Sequence, residues 1–106
     1  MSAVRLNQAK EIWKKVGSFE DLGLVFTKHY NELKQSIQSC NFPMLLHGIR
    51  GFQRDVDEMN CKALMALRDN QITDEEYALF TKIINEESTD LMVSAYDAFK
   101  KKCIRW

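Results

Sequence analysis

The sequence predicts an all-α fold, an antiparallel bundle of four to five helices with a long central third helix. Its 106 residues include only one proline and four glycines, whereas an all-β domain needs many turn residues. Apolar residues recur at helical spacing along most of the chain. Between residues 44 and 68 this spacing becomes a heptad repeat, which keeps one stripe of a helix against a partner helix. Amphipathic helices with short connections bury such stripes by packing antiparallel.

The first two helices are predicted from their apolar faces and their ends. Helix one spans roughly residues 3–16 and ends at Gly17; its buried face comprises Leu6, Ala9, Trp13 and Val16. Helix two is expected to begin at Ser18 as the N-cap, with Asp21 three residues later in an approximate capping box. Its helical pattern ends near residues 39–41. Its apolar stripe comprises Phe19, Leu22, Phe26, Tyr30, Leu33 and Ile37.

The third helix carries the most regular pattern in the chain. Its apolar seam advances by alternating steps of four and three residues: Leu45, Ile49, Phe52, Val56, Met59, Ala63 and Ala66. Pro43 suits the first turn, where its missing N–H costs nothing, and the helix is expected to stop around residues 69–71. Gly48 and Gly51 lie on one flank of the seam, where close approach of a neighbouring backbone would explain them.

The fourth helix has the clearest predicted start. Thr73 is expected to cap it, Glu76 to complete a capping box, and Ile72 to pack onto Tyr77. A short break at residues 87–89 is expected to separate it from a fifth segment. The fifth segment's apolar side comprises Met92, Ala95, Tyr96, Phe99 and Cys103.

The overall composition predicts one globular domain over residues 1–106. Hydrophobic residues make up 45% and charged residues 28% of the chain, which excludes a wholly disordered protein. Fifteen basic residues balance fifteen acidic ones, which argues against nucleic-acid binding because such proteins usually carry a net positive surface. No apolar run approaches the about 18 residues of a membrane span, and the N-terminus lacks the apolar core of a signal peptide. We therefore expect no membrane partner.

The three cysteines predict a reducing environment. Cys40, Cys61 and Cys103 are odd in number and widely spaced, without a CxxC pair. That pattern favours three free thiols, and hence an intracellular, cytoplasmic protein.

No residue pattern predicts catalysis, a cofactor or a metal site. His29 and Glu32 form a single HxxE pair, whereas a di-iron bundle needs such motifs on two helices with further carboxylates. His29 is therefore expected at the edge of the apolar stripe and His47 on the surface. The acidic residues at 55–58 lie within a helix and lack the glycine turn of a calcium loop. Two alternatives stay open: an enzyme using a histidine or a cysteine, and a small-ligand carrier lined by Trp13, Phe26, Tyr30 and Phe52.

The outer face of helix three is the best candidate for function. On a helical wheel Cys61, Leu64 and Met65 lie away from the seam, so the second half of this helix is apolar on every side. Either helices four and five cover these residues, or a second subunit or partner helix does. In a symmetric dimer the same patch would meet itself.

These observations predict a non-enzymatic protein–protein interaction module, either an adaptor or a homodimer. The expected partner-binding residues are Cys61, Leu64, Met65 and Trp106, the last as a terminal aromatic anchor. The alternative is a helical protein that binds duplex RNA. In that case Arg50 and Arg54, one turn apart, would follow a phosphate backbone.

Overall fold

The computed structural model describes residues 3–17 and 20–104, which form four α-helices and no strand. The helices are α1 (Ala3–Val16), α2 (Leu22–Gln38), α3 (Phe42–Arg68) and α4 (Asp74–Cys103). Each runs antiparallel to the next along the chain, and the predicted all-α bundle is confirmed. None of the described helices is both long enough and apolar enough to cross a membrane.

The predicted break at residues 87–89 is wrong, because α4 continues through it for a total of 30 residues. Glu87 and Ser88 are buried, with relative exposures of 5% and 2%. Glu87 Oε1 lies 3.1 Å from Nη1 of Arg5 on α1, and the Ser88 hydroxyl donates to the Asn85 carbonyl at 3.2 Å. These polar residues therefore sit inside a helix because each has a partner there.

The start of α2 also differs from the prediction. Asp21 is the N-cap, and its carboxylate accepts hydrogen bonds from the backbone N–H groups of Gly23 and Leu24. A carboxylate at this position satisfies two donors that have no partner within the helix. The predicted N-cap Ser18, and Phe19 beside it, lie outside the described residues.

The starts of α3 and α4 follow from their capping residues. The Asn41 side chain accepts from the Met44 N–H at 3.1 Å, with Pro43 in the first turn as predicted. At α4 the predicted capping box is present: Thr73 Oγ1 accepts from the Glu76 N–H, and the Glu76 carboxylate accepts from the Thr73 N–H, both at 3.0 Å. Short polar side chains thus set both boundaries.

The predicted seam of α3 faces a single hydrophobic core shared by all four helices. Every seam residue is buried except Ile49, which is partly buried and packs against the core. A Cβ added at Gly48 would lie 3.3 Å from Leu33 Cδ2, whereas one at Gly51 would meet nothing within 4 Å. The expected close backbone approach is therefore wrong: a side chain approaches Gly48, and no steric contact explains Gly51.

Aromatic pairs join facing helices through the core. Trp13 stacks on Phe80 with ring centroids 5.4 Å apart, and Phe26 meets Phe52 edge to face at 5.3 Å. Two tyrosines that were expected on buried stripes, Tyr30 and Tyr96, are instead about half exposed. Tyr30 lines the surface between α2 and α4, and Lys100 Nζ lies 5.7 Å from the centroid of the Tyr96 ring, so both phenols can stay in water.

The bundle has two structurally different halves along its 52 Å length. α1 runs beside only part of α4, since Lys15 pairs with Glu76 and Arg5 with Glu87. Residues 88–103 of α4 continue beyond α1, alongside α2 and α3. We call the part that contains α1 the four-helix half, and the remainder the three-helix half.

A disulfide closes the three-helix half. Cys40, in the turn after α2, is bonded to Cys103 at the end of α4, with their Cα atoms 5.4 Å apart. The prediction of three free thiols is therefore wrong, and only Cys61 is free and exposed. Antiparallel packing brings the end of α4 back to the α2–α3 turn, so the two cysteines meet across 63 residues of sequence. The cytoplasmic location was predicted from three free cysteines. The disulfide removes that support, because disulfides persist mainly in oxidising compartments.

Candidate protein-binding surface

The outer face of α3 is exposed in the single chain. Leu64 and Met65 have relative exposures of 52% and 48%, and the Cys61 thiol is also exposed. Because the heptad seam turns toward the core, residues on the opposite side of the helix, about 120° to 220° away, point outward. The explanation in which other helices of this chain cover these three residues is therefore wrong. Trp106, the fourth predicted contact, lies outside the described residues.

Two charged residues flank this apolar stretch along the same face. Asp57 precedes Cys61 by four residues, and Arg68 follows Leu64 by four. Both side chains are exposed, and Asp57 has no ion pair within the described part of the chain. The face thus has an acidic end, an apolar centre and a basic end. We call residues 57, 61, 64, 65 and 68 the outer α3 patch.

Within the described structure, the hydrogen bond and ion pair of Arg68 are with the neighbouring residue, Asp69. Arg68 Nε donates to Asp69 Oδ1 at 3.1 Å, and this hydrogen bond raises the pKa of the guanidinium. Arg68 therefore stays charged, and both members of the pair are exposed to water. An exposed ion pair of this kind stabilises the fold little, so the guanidinium can exchange Asp69 for another carboxylate at small cost.

An open groove of about 630 Å³ adjoins the patch at the end of the bundle. Met65 and Ala66 form its α3 wall, and Val16 with Gly17 at the end of α1 forms the opposite side. The charged and polar rim comprises Glu20, Lys62, Asp69 and Gln71. Apolar surface therefore continues from the patch across Met65 toward α1.

The N-terminal half of the same face is basic. Arg50 and Arg54 are exposed one turn apart, as the nucleic-acid alternative requires, and His47 is exposed beside them as predicted. Neither arginine forms an ion pair with any residue that the structure describes. The outer side of α3 is thus basic in its first half and apolar in its second.

His29 is buried between α2 and α3 rather than at the edge of the stripe. Its Nε2 lies 2.5 Å from Asp55 Oδ2, its Nδ1 lies 3.7 Å from Glu32 Oε2, and its ring stacks on Phe52 at 4.6 Å. Among residues 3–17 and 20–104 no group of three or more metal-ligating side chains is found. The observed arrangement is a hydrogen bond between a histidine of α2 and a carboxylate of α3. The sequence pattern does not indicate Asp55 as the partner of His29.

Of the four residues proposed to line a small-ligand site, Phe26 and Tyr30 line one cavity between α2 and α4, whereas Trp13 and Phe52 do not line it. Trp13, Phe26 and Phe52 are buried, and each ring packs against another ring of the core. Tyr30, the fourth member, is half exposed on the surface between α2 and α4.

Comparison with known proteins adds no relative from which a role could be transferred. No protein-family model, no curated protein and no solved structure matches this chain significantly.

Proposed function

We propose that this protein is a non-enzymatic protein–protein interaction module that forms a homodimer through the outer α3 patch. The observation that carries the proposal is the exposure of Leu64 and Met65 side by side on a well-formed helix, with Cys61 one turn away. A contiguous exposed apolar surface with a charged border is typical of a protein interface.

The order of residues along the patch favours a twofold-symmetric, antiparallel contact between two α3 helices. In one register Cys61 of each copy meets Leu64 of the other. The same register places Asp57 of each copy beside Arg68 of the other, because each charge lies four residues outside the apolar pair. An isologous interface requires this kind of self-complementarity.

The proposed contact is small, since it involves one face of one helix on each copy. Small interfaces of this kind bind weakly, so we expect a dissociation constant in the micromolar range. The groove beside Met65 enlarges the apolar area available to the second copy.

The test compares Leu64→Asp with a matched control, Leu24→Asp, which changes an exposed leucine on α2. All proteins keep Cys61, because it belongs to the patch, and non-reducing electrophoresis of each sample checks that no disulfide between two Cys61 thiols imitates the dimer. By sedimentation velocity up to about 500 µM, a micromolar dimer should be largely populated. We expect Leu24→Asp to dimerise like the parent and Leu64→Asp to remain monomeric with unchanged circular dichroism. A parent protein that stays monomeric at this concentration contradicts the proposal.

A charge exchange tests the register itself. Asp57→Arg places two arginines together in each half of the contact and should weaken dimerisation about tenfold. The double variant Asp57→Arg/Arg68→Asp restores opposite charges and should recover most of the parent affinity. If the single and double variants lose dimer affinity equally, this antiparallel register is excluded.

Duplex RNA binding is the second candidate, favoured by the exposed and unpaired Arg50 and Arg54. The balanced net charge makes it the weaker one. A gel shift with duplex RNA at low salt tests it. If it is right, Arg50→Ala/Arg54→Ala should abolish a shift that the parent shows. No shift of the parent at about 50 µM would eliminate it, since non-specific binding reaches this range.

The cytoplasmic location predicted from the sequence depended on free cysteines. The Cys40–Cys103 disulfide favours an oxidising compartment instead. Trapping thiols with an alkylating reagent in cells that express the full chain measures which state is present. One reactive thiol per molecule supports the oxidising location, and three support the cytoplasm.

A further inference from the structure

An open apolar groove runs between α2 and α4 in the three-helix half. Two adjoining cavities of about 340 and 410 Å³ form it, and they share Tyr30, Leu91 and Ser94. Its apolar walls comprise Tyr30, Leu33 and Ile37 on α2 with Leu91, Ala95 and Ala98 on α4. None of these residues belongs to the outer α3 patch.

The groove continues the position that α1 occupies in the four-helix half. α1 packs mainly on α4 and also contacts α2 and α3, and near its beginning Arg5 pairs with Glu87. Glu87 is also the residue at which the groove begins. Beyond the beginning of α1, the surface between α2 and α4 therefore stays open, on the side where α1 packs on α4 in the four-helix half.

Small side chains make this position accessible to a helix backbone. Ser94, Ala95 and Ala98 lie one turn or less apart on α4, so a partner helix can approach closely there. The stretch from Glu87 to Ala98 corresponds to about three helical turns. Tyr30, half exposed on α2, provides an aromatic wall for apolar side chains.

The charges at the two ends of the groove are opposite. Asp90 lies toward the end near α1, and Lys34 lies toward the other end, one turn before Gln38. Neither forms an ion pair with another described residue. A helix that runs antiparallel to α4, as α1 does, would begin near Lys34 and end near Asp90. Acidic residues in its first turn and basic residues in its last turn would match both charges and its own dipole.

None of the described helices of a second copy fits this position. α1, α2 and α3 have no acidic residue in the first turn. Only α4 among the described helices combines an acidic first turn with a basic last turn, and its largest apolar side chains, Phe80, Ile83, Ile84 and Phe99, are already buried in the core of its own bundle. The occupant that fits is therefore a helix of a different protein.

We propose that the α2–α4 groove binds an amphipathic helix of about three to four turns from another protein, antiparallel to α4. Its apolar side packs on Leu91, Ala95 and Tyr30. Its acidic first turn lies near Lys34, and its basic last turn lies near Asp90. This inference concerns a different surface from the proposed dimer contact and does not depend on it.

The disulfide holds the two walls of this groove in place. Cys40 directly follows the last turn of α2, and Cys103 ends α4. Beside it, Lys102 Nζ donates to the Gln38 carbonyl at 3.3 Å. The walls are thereby fixed without a fourth helix, which lowers the conformational cost of binding.

The test uses two synthetic peptides of about 14 residues with the same leucine and alanine stripe. The acid-first peptide has glutamates in its first turn and lysines in its last, and the base-first peptide has them exchanged. Titration followed by ¹H–¹⁵N spectra of the disulfide-bonded protein gives affinity and location together. We expect the acid-first peptide to bind at least about tenfold more tightly, with the largest shifts at Tyr30, Leu91 and Ser94. No saturable binding at about 1 mM, equal affinities, or shifts on α3 instead would overturn the inference.

Substitutions on α4 provide the matched controls. Ala98→Arg fills the groove and should reduce binding of the acid-first peptide at least about tenfold, whereas Ala78→Arg, at another exposed alanine of α4, should leave it unchanged. Asp90→Lys leaves Lys34 unchanged, so each peptide then has one attractive and one repulsive end, and the preference between the two peptides should disappear. If Ala98→Arg and Ala78→Arg behave alike, or Asp90→Lys leaves the preference unchanged, the inference is wrong. The monomeric Leu64→Asp protein should bind the peptide normally, which separates this result from the dimer proposal.

Discussion

The two halves of the bundle are held together by different means. In the four-helix half α1 packs onto α4 through the Trp13–Phe80 stack and is flanked by ion pairs from Arg5 and Lys15. In the three-helix half no described helix occupies the corresponding position, and a disulfide joins the segments that surround it. A covalent bond there replaces part of the packing that a fourth helix would supply, and it leaves the apolar groove open.

Each half of the bundle exposes a different candidate surface for protein binding. The outer α3 patch lies on the far side of a helix whose seam faces the core and is buried except at Ile49, which is partly buried. The α2–α4 groove is instead an uncovered part of the helix interface itself. The outer α3 patch is an exposed face of a helix that is already packed in the bundle. The α2–α4 groove is a surface between two helices that no other described helix covers.

The largest expected effect comes from removing the disulfide with Cys40→Ser/Cys103→Ser. A cross-link over 63 residues restricts the unfolded chain, and its loss should lower the free energy of unfolding by about 4 kcal/mol. Urea unfolding measures the total. Hydrogen exchange should show the greatest loss of protection at the end of α4, because that half lacks a fourth helix.

The control is Cys61→Ser, whose thiol is free and exposed and whose loss should leave unfolding of the monomer nearly unchanged. If the double variant loses protection in α1 as much as in the end of α4, the two halves do not differ in the way described.

The second-largest expected loss of stability is in the four-helix half, from Trp13→Leu. The indole stacks on Phe80 at 5.4 Å, and its N–H donates to the Glu20 carbonyl at 3.0 Å. Leucine keeps an apolar side chain but loses both contacts, so we expect a destabilisation of about 2 to 3 kcal/mol. Thermal unfolding in the disulfide-bonded protein measures it.

Combining Trp13→Leu with the cysteine double variant tests whether the two halves contribute independently to stability. Because Trp13 and the disulfide lie in opposite halves, their effects should add within about 0.5 kcal/mol. A large departure from additivity would mean that the halves are not energetically separate.

The smallest effect concerns acid stability in the four-helix half. The hydrogen bond from Lys15, followed by that from the Thr73 N–H, lowers the pKa of Glu76 below its ordinary value of 4.5. The unfolded chain therefore binds the proton more readily than the folded one. The stabilisation is present above pH 4.5 and is lost as the pH falls through the folded pKa.

We expect Glu76→Gln to have a lower melting temperature than the parent at neutral pH, with the difference shrinking in acid. Glu75→Gln, one position earlier in the same turn, controls for the helix dipole. A difference that grows as the pH falls would contradict this assignment.

Local pattern was enough to predict those features of the fold that depend on neighbouring residues. The α3 seam and the Thr73–Glu76 capping box are set by residues within one or two turns, and both are present as predicted. The polar residues at 87–89 wrongly indicate a break because the partner of Glu87, Arg5, lies near the other end of the chain. The Cys40–Cys103 pairing likewise depends on where α4 ends in space, which spacing alone does not reveal.

The two candidate contact surfaces differ in the same respect. A helical wheel placed Cys61, Leu64 and Met65 on the outer face, and their exposure follows from the burial of the seam. The groove could not be predicted, because it arises from the unequal lengths of α1 and α4. Dividing α4 at residues 87–89 concealed that inequality, since each shorter helix would then have matched α1.

The disulfide also makes a covalent ring of residues 40–103, which contains all of α3 and α4. A protease that cuts once in the exposed turn at residues 69–71 would open this ring without releasing a fragment. The nicked protein would keep its mass under non-reducing conditions and separate into two pieces only after reduction. The two longest helices therefore remain tethered to each other even when the chain between them is severed.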